Sequence, residues 1–339
     1  MFFKPLYLRK LSIDAPVFCA PMAEITHSAF RRLIAEQNSF CVLFTEMLSG
    51  NAILKENILF SPYTKRRPIE KILWYQLALN GTEDIKKIIE RLLILKPDAI
   101  DLNCGCSAPN AKLKGLGISL FEDKKRFEYV IKSLRKNWDN TLSIKCRLWK
   151  KEDNWKEEFE ERLKIMEDNG VDLIFVHPRF FNEKFKRKAR WEFFKWISSK
   201  TKIPIIANGD ITNVYDIYEN KDIFSCVRGI MIGRYAAVKP WIFCEFASLF
   251  NLNVSNNKFN FTLLWNKFFE YIKEDFIQEE KALSRIKIFS KYFSCNFFYG
   301  NNFRKKIQNC NSIQESYEFG KNFLKSNPKL LVTPSVNIF

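Results

Sequence analysis

The chain has 339 residues, which is long enough for one barrel-sized domain and a smaller second one. Its 55 Lys and Arg residues exceed its 38 Asp and Glu residues by 17, a balance that favours a polyanionic partner such as nucleic acid, although a solvated basic surface gives the same count. The nine cysteines include no C-x-x-C pair and no apolar run approaches ~18 residues, so we expect a reduced, cytoplasmic protein without a signal peptide or membrane span.

Eight short apolar segments alternate with amphipathic segments in the first part of the chain. Their near-continuous apolar character is typical of parallel strands that are covered on both faces. The alternation predicts a (β/α)8 TIM barrel, and a doubly wound sheet is the competing fold, although no G-x-G-x-x-G motif follows the first strand. The predicted strands are residues 16–22, 41–47, 73–79, 99–105, 141–147, 172–178, 203–210 and 229–234.

Helical periodicity is clearest in three of the intervening segments, residues 83–96, 123–138 and 155–170, with Thr82 as the N-cap of the first. After residue 245 the strand pattern stops. The periodicity then predicts helices only, at 261–276, 280–295 and 312–325. We therefore expect a barrel domain at 1–245 and an all-helical domain at 246–339.

Polar or special residues stand at nearly every predicted strand end. One such residue usually serves packing, but the carboxyl ends of barrel strands form the active site of such folds, and here the strand ends agree. The turns after the last two strands contain glycines and an arginine suited to a phosphate, although ordinary strand-to-helix turns look similar. The residues at the strand ends include Gln76, Asn103, Cys106, Lys145, Arg147, His177, Asn208, Gly209, Asp210, Gly233 and Arg234.

The stretch "DLNCGCSAPN", residues 101–110, raises the question of a metal clip or a redox pair. On a strand Asp101 and Asn103 face one way, while Cys104 faces the other and packs as a small apolar residue. Cys106 then lies beyond the strand at the barrel mouth. No further ligand has metal-site spacing in this segment, so we predict one working cysteine and no metal.

Seven motifs resemble, in order and spacing, those of the tRNA-dihydrouridine synthases. The resemblance covers about residues 14–245, and the helical tail fits the second domain of that family. It implies an enzyme that uses bound FMN and the reductant NADPH to reduce uridine to 5,6-dihydrouridine in the D-loop of tRNA. The motifs are "APMAEITHSAFR", "YQLALNG", "DLNCGCSAPNAKLKGLGISL", "IKCRL", "VHPR", "IANGDI" and "IMIGRYAAVKPWIF".

The resemblance also implies a role for each matched residue. Cys106 corresponds to the general acid that protonates C5 of uracil after hydride reaches C6 from flavin N5, and a thiol is largely protonated at neutral pH. Asn103 and Arg147 correspond to residues that contact the uracil, and Lys145 lies beside flavin N1 and O2 with His177 nearby. The other implied FMN contacts are Pro21, Met22, Ala23 and Gln76, and, at the phosphate, Asn208, Gly209, Asp210, Gly233 and Arg234.

The chain departs from the family pattern at five positions. Glu24, His27, Ser107, Trp149 and Pro178 stand where Gly, Asp, Pro, Gly and Gly are usual. Two other readings stay open: an FMN barrel oxidoreductase that acts on a free pyrimidine or another small molecule, and a non-catalytic barrel that binds RNA. We expect a monomer. The cations predicted to contact tRNA are Lys281, Arg285, Lys287, Lys291, Arg304, Lys305 and Lys306.

Overall fold

Eight parallel strands close into a barrel in the computed structural model, which describes residues 1–37, 40–183, 187–253, 259–334 and 336. A short antiparallel hairpin, β1 (Leu6–Leu8) and β2 (Leu11–Ile13), precedes the barrel. The barrel strands are β3 (Val17–Cys19), β4 (Leu43–Phe44), β6 (Leu73–Ala78), β7 (Ala99–Cys104), β8 (Thr141–Leu148), β9 (Leu173–Phe180), β10 (Ile205–Asn208) and β11 (Gly229–Ile232), while β5 (Leu48–Ser49) extends the pairing of β6.

The strand order is β3-β11-β10-β9-β8-β7-β6-β4, and the bridge between Phe18 and Val42 closes the ring. This confirms the predicted TIM barrel: six of the eight strands lie within the predicted segments, and β8 and β9 overlap theirs but end later, at Leu148 and Phe180. The helices around it are α1 (Ser28–Gln37), α2 (Gly50–Lys55), α3 (Ile85–Leu93), α4 (Pro109–Leu113), α5 (Ile118–Glu122), α6 (Lys124–Asn137), α7 (Trp155–Asp168), α8 (Phe193–Ser199), α9 (Tyr215–Glu219), α10 (Lys221–Phe224), α11 (Arg234–Val238) and α12 (Ile242–Glu245).

The barrel interior has an apolar lower layer and a polar upper layer. In the lower layer the rings of Phe18, Trp74 and Phe175 meet edge to face, with centroids 4.9 to 5.5 Å apart. Leu6 and Leu8 of the hairpin belong to the same buried cluster, so the hairpin closes the amino-terminal end of the barrel. The packed base leaves the carboxyl ends of the strands as the open end.

The C-terminal region is helical, as predicted, and its core is rich in aromatic side chains. It comprises α13 (Phe261–Asp275), α14 (Glu279–Phe293), α15 (Gly300–Asn309) and α16 (Ile313–Lys325). The rings of Phe268 and Phe289 lie 4.1 Å apart between α13 and α14. The division between residues 245 and 246 stays a prediction. No helix in the part of the chain that the structure describes is long and apolar enough to cross a membrane.

Two local features differ from the sequence-based expectation. Thr82 is not the N-cap of α3, because the Asp84 carboxylate accepts a hydrogen bond from the Lys87 amide at 3.1 Å and fills that position. The helix α15 has no predicted counterpart, since it begins with the weak helix formers Gly-Asn-Asn.

Candidate active site at the carboxyl ends of the strands

A cavity of about 990 Å³ opens at the carboxyl ends of the barrel strands. Every residue predicted to be catalytic or to contact FMN or the uracil lines it. The structure therefore brings fourteen residues from all parts of the barrel to one place. They are Pro21, Met22, Ala23, Gln76, Asn103, Cys106, Lys145, Arg147, His177, Asn208, Gly209, Asp210, Gly233 and Arg234.

A chain of hydrogen bonds runs from the barrel interior to the cysteine loop. Asp101 is fully buried and accepts from the Ser143 hydroxyl at 2.6 Å and from Gln76 Nε2 at 2.7 Å. The Gln76 amide oxygen accepts from Asn103 Nδ2 at 2.8 Å. The Asn103 amide oxygen accepts in turn from the backbone N–H of Cys106 at 3.0 Å. Each amide is thus oriented by its neighbour, and the series ends at the residue that presents the thiol.

The loop that carries Cys106 is also held from its far side. The Ile118 amide donates to the Cys106 carbonyl at 3.1 Å. Gly117 has φ +62°, and a Cβ there would lie 2.6 Å from the Cys106 carbonyl oxygen, closer than real Cβ atoms approach. Hydrogen bonds to the amide and to the carbonyl of Cys106 therefore hold the loop, with Ser107 in place of the usual proline. Cys104 is fully buried in the outer core and packs there as predicted.

Lys145 and Arg147 project from the same face of β8 toward the cavity. Burial and, second to it, the nearby Arg147 lower the pKa of Lys145 to about 8, against the opposing effect of the Asp101 carboxylate. Burial also lowers the pKa of Arg147 to about 10, as does Arg179. Burial raises the pKa of Asp101 to about 6, against its hydrogen bonds from Ser143 and Gln76. The site is therefore rich in cations that are costly to bury without an anion.

The opposite wall of the cavity contains an ion-pair cluster. Asp210 accepts from Arg179 at 2.6 and 2.8 Å and from Arg234 at 3.0 Å. Arg179 Nη1 lies 2.8 Å from His177 Nε2. Because a guanidinium only donates, Nε2 accepts and the neutral ring carries its proton on Nδ1. Burial and the neighbouring Arg147 and Lys145 hold the pKa of His177 well below its usual range, which agrees with a neutral ring.

The turn after β10 brings the backbone close to His177. Gly209 has φ +112°, and a Cβ on it would lie 2.5 Å from His177 Cδ2. Only glycine therefore allows this turn to pass beside the imidazole. The next residue, Asp210, also has positive φ, +56°, which an aspartate tolerates better than most side chains.

Sequence reasoning missed several groups that organise the site. Asp101 carried no role in the resemblance, although its alternation with Asn103 placed it on the inner face of β7. Glu46 accepts from the Glu24 amide at 2.7 Å, and burial raises its pKa to about 7. Thr333 and Pro334 reach the cavity from the far end of the chain, and no local pattern could have predicted this contact.

Two of the departures from the family pattern lie where the helical region meets the barrel. Glu24, which has φ +66°, pairs with Arg285 of α14 at 3.1 Å. The His27 ring is buried and meets Phe276 edge to face at 5.1 Å. The guanidinium of Arg285 also donates to the Tyr63 hydroxyl at 3.0 Å. Arg285 is therefore engaged in the contact between the two regions rather than exposed for RNA.

Trp149 lies outside the cavity. It is buried, its ring is 5.7 Å from that of Phe121, and the Arg162 guanidinium lies over it at 4.4 Å. The tryptophan thus fills the outer core beside β8 and does not narrow the site.

Comparisons with known proteins agree with this arrangement. A family model described as "Dihydrouridine synthase (Dus)" matches residues 18–328. A probable tRNA-dihydrouridine synthase of Aquifex aeolicus is 31% identical over 278 residues, which are 80% of this chain and 84% of the relative. Another, of Helicobacter pylori, is 30% identical over 237 residues, 68% of this chain and 69% of the relative. The old yellow enzyme from Trypanosoma cruzi aligns with a TM-score of 0.51 at 9% identity over 76% of this chain and 94% of its own, a likeness of fold alone.

Proposed function

This chain belongs to the dihydrouridine synthase family, and on that premise we propose that it reduces uridine to 5,6-dihydrouridine in tRNA with bound FMN. The observation that carries the proposal is the convergence of Cys106, Asn103 and Lys145 on one cavity, with the cysteine loop held by the hydrogen-bond chain from Asp101. A binding protein for RNA alone would have no need of a thiol positioned in this way.

The cavity fits FMN in size and charge. Its volume of about 990 Å³ is at the upper end of small-molecule sites. Lys145, Arg147 and Arg234 line it, and the Asp210 carboxylate is already paired with two guanidinium groups, so an anionic ligand suits it. Lys145 would stabilise negative charge on the flavin ring, with the neutral His177 beside it.

The remaining cofactor contacts follow from position. Pro21, Met22, Ala23 and Gln76 would line the ring, and the phosphate would lie against Asn208, Gly209, Gly233 and Arg234. Asp210 takes a different part from that expected by resemblance. Its carboxylate would repel a phosphate, so we assign it the positioning of Arg179 and Arg234, with only its backbone facing the phosphate.

Bound, reduced FMN would supply the hydride that is added to C6 of the uracil. Cys106 then transfers the thiol proton to C5, so that two hydrogens are added across the double bond and the thiolate is left to be reprotonated. Asn103 uses its amide oxygen and one N–H within the protein, which leaves one N–H to donate to a uracil carbonyl. Arg147 donates to the other polar edge of the base.

The target base would have to leave its stack in folded RNA, at a cost of a few kcal/mol. Contacts to the RNA backbone offset this cost, and the net charge of +17 favours them. Lys281, Lys305 and Lys306 are exposed on the helical region and are better placed for phosphate contacts than Arg285.

The proposal also includes NADPH as the reductant, the D-loop of tRNA as the target and the cytoplasm as the location.

The test is dihydrouridine formation on an unmodified tRNA transcript with FMN-loaded protein and NADPH. We expect Cys106→Ala to retain FMN and to lose about 10²- to 10⁴-fold in rate, the range for general acid catalysis. Cys226→Ala, at a partly exposed cysteine outside the cavity, is the matched control and should retain the wild-type rate. Full activity of Cys106→Ala would rule out the acid role, and no dihydrouridine from the wild type would rule out the function.

A further inference from the structure

After the last helix, the described part of the chain returns to the barrel. We call residues 329–334 and 336 the C-terminal strap. Its first part is anchored on the helical region: the Phe298 amide donates to the Lys329 carbonyl at 2.9 Å, and the Leu331 amide donates to the Asn296 carbonyl at 2.8 Å. Leu330 pairs with Phe297 in an antiparallel bridge.

The second part of the strap contacts α11. The Tyr235 hydroxyl donates to the Pro334 carbonyl at 2.6 Å. Val336 is only 7% exposed and clusters with Val238 and Cys295. The anchor is tied to the same helix, because Asn296 Nδ2 donates to the Val238 carbonyl at 2.7 Å. The first part of the strap is therefore linked to α11 through Asn296, and the second part contacts α11 directly.

The position of α11 decides what the strap can do. Its first residue is Arg234, its N-cap is Gly233, and Tyr235 follows directly. Thr333, Pro334 and Val336 line the same cavity as these residues. The strap thus lies at the end of the cavity where the proposed function puts the cofactor phosphate, far from the thiol-bearing loop in sequence.

We propose that the C-terminal strap is part of the cofactor site and closes its phosphate end, so that the phosphorylated flavin leaves slowly. The inference rests on the proposed function. Covering this end removes water from around Arg234 and a phosphate, which strengthens their attraction. In the part of the chain that the structure describes, a hydrogen bond from Tyr235 and a small apolar cluster hold the strap to α11, and local opening of these contacts would let the cofactor exchange.

The experiment compares two truncations in the full-length background. One removes residues 333–339 and the other, its control, removes only 337–339. Each protein is loaded with FMN, and the dissociation rate is followed by the recovery of flavin fluorescence after dilution. We expect dissociation to be at least tenfold faster without 333–339 than without 337–339, with equal thermal melting temperatures of the cofactor-free proteins.

A point variant provides a second test in case the truncated chain misfolds. Tyr235→Phe keeps the ring and removes the hydrogen bond to Pro334, so it should speed FMN dissociation severalfold. Val332→Ala changes a fully exposed strap residue and should leave the rate unchanged. Riboflavin lacks the phosphate, so loss of 333–339 should accelerate its dissociation less than that of FMN.

The outcomes separate the two proposals. A wild-type protein that fails to retain FMN contradicts the proposed function itself. Wild-type retention with unchanged dissociation in both the 333–339 truncation and Tyr235→Phe overturns the strap proposal. Tighter FMN binding after truncation also overturns it, because the strap would then compete for the cavity. If loss of 333–339 accelerated the dissociation of riboflavin and FMN equally, the placement of the strap at the phosphate end would be contradicted.

Discussion

The two walls of the cavity are built by different means. On the side of β6, β7 and β8, hydrogen bonds join Asp101, Gln76, Asn103 and the Cys106 amide in series. The orientation of each group therefore depends on the preceding one. On the side of β9, β10 and β11, two arginines share Asp210. The serial arrangement suits the placement of a reacting thiol, whereas the shared ion pair suits a charged ligand. Substitutions in the hydrogen-bond series and around the shared ion pair should therefore separate the rate of reaction from the affinity for the cofactor.

Among the substitutions that compare the two walls, the largest effect is expected from Asp101→Ala. It removes the acceptor that orients Gln76, so Asn103 and the Cys106 loop lose their alignment, and a misplacement of about 1 Å costs about 100-fold in rate. The rate of dihydrouridine formation at saturating FMN measures this, alongside flavin content. Asp101→Asn keeps one acceptor and should stay within about tenfold of wild type. A rate for Asp101→Ala within twofold of wild type would show that the series does not position the thiol.

Two glycine substitutions sharpen the comparison between the walls. Gly117→Ala forces a methyl group against the Cys106 carbonyl and should lower the rate by about tenfold or more with little change in FMN affinity. Gly209→Ala forces one against His177 and should weaken FMN binding by a similar factor while the rate at saturating FMN changes little. Titration of FMN and the rate at saturation measure both. The reverse assignment of effects would contradict the division of the cavity.

Lys145 should make cofactor binding depend on pH. Its pKa of about 8 means that the ammonium is present at pH 7 and is lost as pH rises through 8, so FMN affinity of the cofactor-free protein should fall between pH 7 and 9. Lys145→Met should weaken binding about tenfold at pH 7 and remove this trend. Because the folded-state pKa is depressed, the free energy of unfolding should rise with pH between about 8 and 10.5 in wild type and not in Lys145→Met. A wild-type affinity that stays constant over pH 7 to 9 would contradict this placement of the charge.

The smallest effect is expected at the contact between the barrel and the helical region. Glu24 is more than half exposed, so its ion pair with Arg285 should contribute less than about 1 kcal/mol. A double-mutant cycle with Glu24→Gln and Arg285→Met, followed by denaturant unfolding, measures the coupling. Arg285→Met alone should cost more than Glu24→Gln, because it also loses the hydrogen bond to Tyr63. Equal losses of unfolding free energy in the two single variants would show that the hydrogen bond from Arg285 to Tyr63 adds nothing to the ion pair.

The sequence predicts the barrel well because each buried strand has a local apolar pattern that needs no knowledge of its neighbours. The strand-end residues follow from the same alternation, which put Asp101 and Asn103 on the inner face and Cys104 on the outer one. Contacts between distant segments leave no such pattern. Arg285 meets Glu24 across 261 residues and Pro334 meets Tyr235 across 99, and neither pairing has a periodic signal.

The most direct test of the account is which substrate reoxidises the enzyme. The FMN-loaded protein is reduced with NADPH without oxygen and then mixed with an unmodified tRNA transcript or with free uridine or uracil, while flavin absorbance is followed. We predict rapid reoxidation by the transcript, stoichiometric with dihydrouridine formed, and almost none by the free pyrimidines. Reoxidation by a free pyrimidine and not by the transcript would contradict the account and identify a small-molecule oxidoreductase.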